Sequence, residues 1–220
     1  MRRALVTGGS RGIGKAIVEL FRSRGIEVLA PTRAEMNLRD NRLIEAYCAS
    51  IDGPIDIIVN NAGINNIASL DHLDEQTLDE MIQINLKAPI AIVRALEHKL
   101  VSNRISHIVN VSSIWGFVSK EGRCGYAAAK TGIIGTTRTM ALELGKYNVL
   151  VNAVAPGFVN TELTKQNNTP DEIRQIERMI PIGHMAEPED IARFVYFLSS
   201  EENTFITGQT MLIDGGYTCQ

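Results

Sequence analysis

Apolar and polar positions along this chain follow two alternating rhythms. Short aliphatic runs read as strands: Ala4-Leu5-Val6-Thr7, Glu27-Val28-Leu29-Ala30-Pro31, Ile55-Asp56-Ile57-Ile58-Val59, His107-Ile108-Val109-Asn110-Val111, Leu150-Val151-Asn152-Ala153-Val154-Ala155 and Thr210-Met211-Leu212-Ile213. Between them, apolar residues recur at helical spacing: Ile17, Leu20 and Phe21; then Leu43, Ile44 and Tyr47 behind a cap at Asp40. A longer stripe behind Asp74 runs through Leu78, Met81 and Ile82 and continues from Leu86 to about Leu100. Two more helices follow, one from Tyr126 to about Gly145, the other behind Pro188 through Ile191, Phe194, Val195 and Leu198. The run Ile55–Val59 is apolar apart from Asp56, as expected of a strand covered by helices on both faces. Alternating strands and helices predict an α/β fold, one doubly wound parallel sheet spanning residues 1–220 as a single domain.

Three places break the rhythm. Only a few residues separate Pro31 from Met36-Asn37-Leu38 and the helix behind Asp40, too few for a parallel crossover through a helix. The third strand is therefore expected to be a stub or missing, with Asn37 and Leu38 forming a wall at that edge of the sheet. Asn85 interrupts the long stripe, and a mid-helix asparagine that bonds backbone locally predicts a kink. From Phe158 to His184 the chain turns polar, with one short helix near Asp171–Met179, and reads as a substrate lid.

Composition narrows the classes. A net charge of -3 with 21% charged residues argues against a nucleic-acid or anionic-membrane surface. No apolar run reaches the roughly 20 residues of a membrane span, and Met1-Arg2-Arg3 leads straight into a strand, so the expected compartment is the cytoplasm. Cys48, Cys124 and Cys219 are odd in number and widely spaced, suiting free thiols, and His72, His98, His107 and His184 have no ligand spacing; no metal site is expected.

The chemistry sits where strands end. The first strand runs into Gly8-Gly9-Ser10-Arg11-Gly12-Ile13-Gly14 and then a helix, the context in which glycines permit close backbone approach and a helix N-terminus offers N–H groups to a phosphate. An acidic residue about 20 positions on would bind a ribose 2′-hydroxyl, but Thr32 and Arg33 stand there; with Arg11 they favour a 2′-phosphate, hence NADP(H) over NAD(H). Asn60-Asn61-Ala62-Gly63 ends the central strand, at the edge where open α/β sheets bind ligands. Tyr126-Ala127-Ala128-Ala129-Lys130 places a phenol and an ammonium at i and i+4 on one helical face. A charge about 4 Å away is worth about 4 kcal/mol at an effective dielectric near 20, roughly the 3 pKa units that bring a phenol toward neutrality.

Taken in this order and spacing, Thr7–Gly14, Asn60–Gly63, Asn85, Ser113, Tyr126-x-x-x-Lys130, Pro156-Gly157 and the Asp214-Gly215-Gly216 tail resemble the short-chain dehydrogenase/reductase family over nearly the whole chain, 3-oxoacyl-carrier-protein reductase-like members above all. The resemblance implies a Rossmann-type fold and an NAD(P)-dependent enzyme reducing a ketone to a secondary alcohol, or the reverse. Tyr126 would be the general acid or base, with Lys130 depressing its pKa and holding the nicotinamide ribose. Ser113, thirteen residues before Tyr126, would bond the substrate oxygen in preference to Ser112, and Asn85 would hold a water linking Lys130 to solvent. Gly8, Ser10, Arg11, Gly12, Ile13, Gly14, Asn60, Ala62, Gly63, Pro156, Gly157, Val159 and Thr161 would line the cofactor, beside Thr32, Arg33, Asn37 and Leu38. A small-molecule substrate and a homotetramer or homodimer follow from the same likeness. The alternatives are a sugar or nucleotide-sugar reductase or epimerase on the same hydride site, suggested by the shortened segment after Arg33, and a non-catalytic cofactor-binding regulator, which the retained Tyr126 and Lys130 oppose.

Overall fold

The computed structural model describes residues 1–100 and 104–219. The chain runs β1 (Arg3–Val6), α1 (Gly12–Ser23), β2 (Glu27–Leu29), α2 (Asn41–Ser50), β3 (Ile57–Asn60), α3 (Glu75–Ile82), α4 (Ala88–Leu96), β4 (Ser106–Val111), α5 (Cys124–Leu144), β5 (Val149–Pro156), α6 (Glu162–Asn167), α7 (Pro170–Met179), α8 (Pro188–Ser199) and β6 (Thr210–Ile213). The strands form one sheet in the order β2-β1-β3-β4-β5-β6, every adjacent pair parallel. The order reverses beside β1 and β3, the switch point at which open α/β sheets leave a crevice outside their carboxyl ends.

Alternation along each strand divides the core in two. Leu5, Ile58, Ile108 and Val151 face α2, α4 and α5, where Ile44, Ile92, Leu96 and Met140 cover them. Ala4, Val6, Ile57, Val59 and Val109 face α1 and α8 and meet Ile17, Phe21, Ile191 and Val195. A sheet buried on both sides needs strands without a polar face, and these strands have none.

The expected shortcut is present: no strand forms between β2 and β3 among the described residues, and β2 itself stops at Leu29 rather than Pro31. A tight turn over Thr32–Glu35 carries the chain to Met36, which is buried, and to Asp40, whose carboxylate caps α2 by accepting from the Arg42 N–H. Asp74 caps α3 in the same way, through Thr77. The kink at Asn85 is a π turn over Gln83–Lys87 that separates α3 from α4. Its cause lies four residues on, where Pro89 has no N–H to give the Asn85 carbonyl. α4 ends at Leu96 and a 3₁₀ turn covers Glu97–Lys99, so the helix stops short of Leu100. Two further boundaries differ from expectation: Ile55 makes only an isolated bridge to Leu100, and the segment 158–184 holds α6 in addition to α7. None of the described helices is long and apolar enough to cross a membrane.

Candidate active site

The carboxyl ends of the strands open into a cleft of about 380 Å³. At one end lies the glycine loop. Gly14 packs so tightly that a Cβ would lie 2.1 Å from the Gly8 carbonyl oxygen, and Gly12 sits at φ +52, a conformation that side chains disfavour. The Arg11 N-cap makes no side-chain cap, and the first turn of α1 holds no acidic residue, so its N–H groups and dipole face the cleft uncompensated. Asn61 and Thr7 fix the loop to β3: Asn61 Nδ2 donates to the carbonyls of Thr7 and Gly8 at 3.0 and 3.2 Å, while Thr7 Oγ1 accepts from the N–H groups of Asn61 and Ala62 at 3.0 Å each.

The expected site residues meet on this cleft. Gly8, Ser10, Arg11, Gly12, Ile13, Gly14, Thr32, Arg33, Asn37, Leu38, Ala62, Gly63, Ser113, Tyr126, Lys130, Pro156, Gly157, Val159 and Thr161 all line it; Asn60 and Asn85 do not. Asn60 is buried in the sheet and donates to Asn110 Oδ1 at 2.9 Å, and Asn110 in turn donates to Thr137 of α5 at 2.9 Å. That chain ties the tips of β3 and β4 to the helix carrying Tyr126, so its side chain does not reach a ligand. Thr32 is turned away as a donor, since its N–H and hydroxyl both go to the Glu35 carboxylate at 2.7 and 2.8 Å. Arg33 is exposed and makes no ion pair among the described residues, whereas Arg11 lies 3.8 Å from Glu162.

At the other end, α5 and the segment after β4 bring three groups together. Ser113 caps a 3₁₀ turn, accepting from the Trp115 N–H at 3.2 Å, and its hydroxyl neighbours the Tyr126 phenol and favours its ionised form. Ser112 also lines the cleft and donates to the Lys130 carbonyl at 2.9 Å. Lys130 is buried, donates to the Val111 carbonyl at 2.8 Å and lies 5.5 Å from the Tyr126 ring centre. Burial pulls its pKa down to about 8. The expected depression of the phenol is not what the chain alone produces. Burial raises the Tyr126 pKa, with Ser113 and Arg123 pulling weakly the other way. Lys130, whose ammonium is itself buried and held by the Val111 carbonyl, is not among the groups that lower it.

Asn85 serves its neighbours. Its Oδ1 accepts from the Ile64 N–H at 3.0 Å and its Nδ2 donates to the Ile64 carbonyl at 2.9 Å, pinning the segment after Gly63. A Cβ on Gly63 would meet Asn85 Oδ1 at 2.7 Å, so glycine is needed for that approach. Beyond the family pattern, the cleft is walled by Trp115, Phe158 and Arg123, which sequence reasoning passed over; Arg123 was detectable as the i–3 neighbour of Tyr126 on one helical face.

A parallel sheet with a glycine cradle at its switch point and a Ser, Tyr and Lys cluster facing it defines a class, and the comparisons bear on the same class. A family model described as enoyl-(acyl carrier protein) reductase matches residues 34–218. The 3-oxoacyl-[acyl-carrier-protein] reductase FabG of Vibrio cholerae is 36% identical, covering 97% of this chain and 96% of its own. Among solved structures, a short chain dehydrogenase family protein from Francisella tularensis superposes with a TM-score of 0.93 at 32% identity, covering both chains completely. A protein from Beutenbergia cavernae, provisionally assigned as an NAD(P)-dependent gluconate 5-dehydrogenase and holding NADP at low occupancy, superposes at 0.90 with 30% identity, covering all of this chain and 97% of its own. The chain belongs to the short-chain dehydrogenase/reductase family. It is an NAD(P)-dependent oxidoreductase acting on CH–OH groups and the corresponding carbonyls.

Proposed function

We propose that this chain is an NADP(H)-dependent reductase of a ketone, with Tyr126 as the group that gives or takes the proton. The observation that carries the reading is the convergence of the Ser113 hydroxyl, the Tyr126 phenol and the Lys130 ammonium at one end of a cleft whose other end is the glycine cradle. The cleft fits a dinucleotide: a side chain at Gly8 or Gly14 would strike backbone, the first turn of α1 has no acid, and Arg33 forms no ion pair among the described residues. Gly8, Ser10, Gly12, Ile13 and Gly14 would take the pyrophosphate, Arg33 and Arg11 a 2′-phosphate, Asn37 and Leu38 the adenine side, and Ala62, Gly63, Pro156, Gly157, Val159 and Thr161 the nicotinamide half.

Reduced nicotinamide supplies a hydride when bound. The remaining work belongs to the chain. Ser113 donates to the carbonyl oxygen, Tyr126 hands that oxygen its proton as negative charge develops there, and the ketone carbon that gains the hydride becomes a secondary alcohol. In the reverse direction the phenolate takes the alcohol proton. Lys130, charged at neutral pH with a pKa near 8, stabilises the phenolate left behind. The Asn85 side chain is occupied by Ile64, so any water relay from Lys130 starts at the Asn85 carbonyl, which Pro89 deprives of its i+4 donor. The candidate substrates are ketones at large, among them the 3-oxoacyl thioesters named for the Vibrio relative, and a homo-oligomer belongs to the same reading.

A panel of ketones, 3-oxoacyl thioesters and keto sugars, followed by NADPH absorbance, tests the reaction. Turnover of at least one class is expected. NADPH binding with no turnover of any class would leave the regulator reading in its place. Separate titrations with NADPH and NADH test cofactor choice, and tighter NADH binding would refute the Arg33 assignment.

A further inference from the structure

The substrate end of the cleft holds one charge to which the reaction above gives no work. Arg123 immediately precedes α5, is 8% exposed, and lines the cleft beside Tyr126. Its guanidinium carbon lies 5.8 Å from the Trp115 ring centre, and Trp115 is braced edge-on by Phe158 at 6.1 Å. Both Nε and Nη1 are buried without a hydrogen-bond partner, and Arg123 forms no ion pair among the described residues. A guanidinium does not lose its proton at working pH, so it cannot escape this cost as a lysine would. Leaving charged donors buried and unpaired costs several kcal/mol, and a side chain of this length ordinarily reaches water instead. Here the indole holds it in place. Among the described residues the one carboxylate that lines the cleft, Glu162, lies by Arg11 and not by Arg123.

We propose that Arg123 receives a carboxylate carried by the substrate, so that the enzyme acts on a short oxo acid, or the matching hydroxy acid, whose carboxylate lies a few bonds from the reacting carbon. The inference rests on the carbonyl-reductase reading and deepens it. It sets this cleft apart from one for a neutral thioester, because the planar fork of a guanidinium matches a carboxylate and gains nothing from an acyl chain. Proximity to Tyr126 offers a second role, lowering the phenol pKa, but that would speed acids and neutral ketones alike.

The test uses the full chain saturated with NADPH. 3-Oxobutanoate and 2-oxobutanoate are each compared with their ethyl esters in kcat/KM, and malonate binding to the NADP⁺ complex is followed by calorimetry. Charge-assisted hydrogen bonds to one arginine are worth about 10–100-fold, so the acid is expected to lead its ester by at least about tenfold. Arg123→Gln should collapse that ratio and abolish malonate binding, while Arg123→Lys retains part of both; unchanged NADPH binding in each variant checks the fold. An ester that matches its acid, or a ratio that survives Arg123→Gln, overturns the proposal. If neither acid nor ester is reduced, the reaction reading fails for these compounds and malonate decides alone: binding lost in Arg123→Gln supports the carboxylate site, and no binding to the unaltered protein overturns it.

Discussion

The two ends of the sheet bury polar groups for opposite purposes. At the amino ends, Asp56 accepts from the Arg3 N–H at 2.7 Å and from Arg104 Nε at 2.5 Å. His107, 1% exposed, bonds Arg2 Nη2 through Nδ1 at 2.9 Å and the Asn203 carbonyl through Nε2 at 3.1 Å. Asp56 and His107 thus find partners within the chain, while Arg2 Nε beside them is left without one. At the carboxyl ends, Arg123 has two nitrogens with none, and Lys130 has one hydrogen bond for an ammonium that can make three. Burial without satisfaction costs stability, so an arginine that lines the cleft beside Tyr126 with two orphaned nitrogens marks a place built for a ligand.

Substitutions at the two ends should therefore fail differently. The largest effect is expected from Lys130→Met, which should lower kcat/KM by about 10³-fold, within the range for a general acid–base group and its electrostatic support. The same variant should not be less stable. The Lys130 pKa of about 8 lies below its unfolded value of 10.5, so native Lys130 releases its proton first as pH rises. The unaltered protein should therefore gain stability as pH rises from about 8 to 10.5 in urea melts, a gain that Lys130→Met should lack. Equal pH slopes in the two proteins would remove the buried-ammonium argument.

Next in size, Asp56→Ala should cost about 3 kcal/mol in urea unfolding by leaving the Arg3 N–H and Arg104 unpaired, while NADPH affinity stays within about twofold. A large loss of cofactor affinity would mean that the two ends are coupled. Smaller again is the acid response of the amino end. Burial lowers the His107 pKa from 6.5 to about 4, so the unfolded chain takes up a proton that the folded one refuses. Stability should fall as pH drops from about 6.5 to 4, and His107→Gln should flatten the curve in that window.

The sequence made the carboxyl end more legible than the amino end. Strand-terminal glycines, Ser113 and the Tyr126–Lys130 spacing lie within short stretches whose local chemistry is visible one residue at a time. The missing crossover after Arg33 was legible for a similar reason, because chain length alone forbids a helix there. What stayed hidden depends on contacts across the sheet. Asn60 looked like a ligand-facing residue, and only its pairing with Asn110, fifty positions away, turns it inward. Thr32 looked available until the turn returned Glu35 to it. The direction of the Tyr126 shift needed burial, which spacing does not report. Arg123 could be seen as a cation near Tyr126, but not as a cation without a partner.

The central claim, that Tyr126 is the proton donor of a reductase cleft, is tested most directly by Tyr126→Phe. NADPH affinity is measured by fluorescence titration, beside turnover of the best ketone from the panel. Turnover should fall by about 10³-fold with NADPH affinity within about threefold of the unaltered protein, since only the phenolic oxygen is removed. Turnover retained within tenfold, with NADPH bound as before, would contradict the assignment of Tyr126.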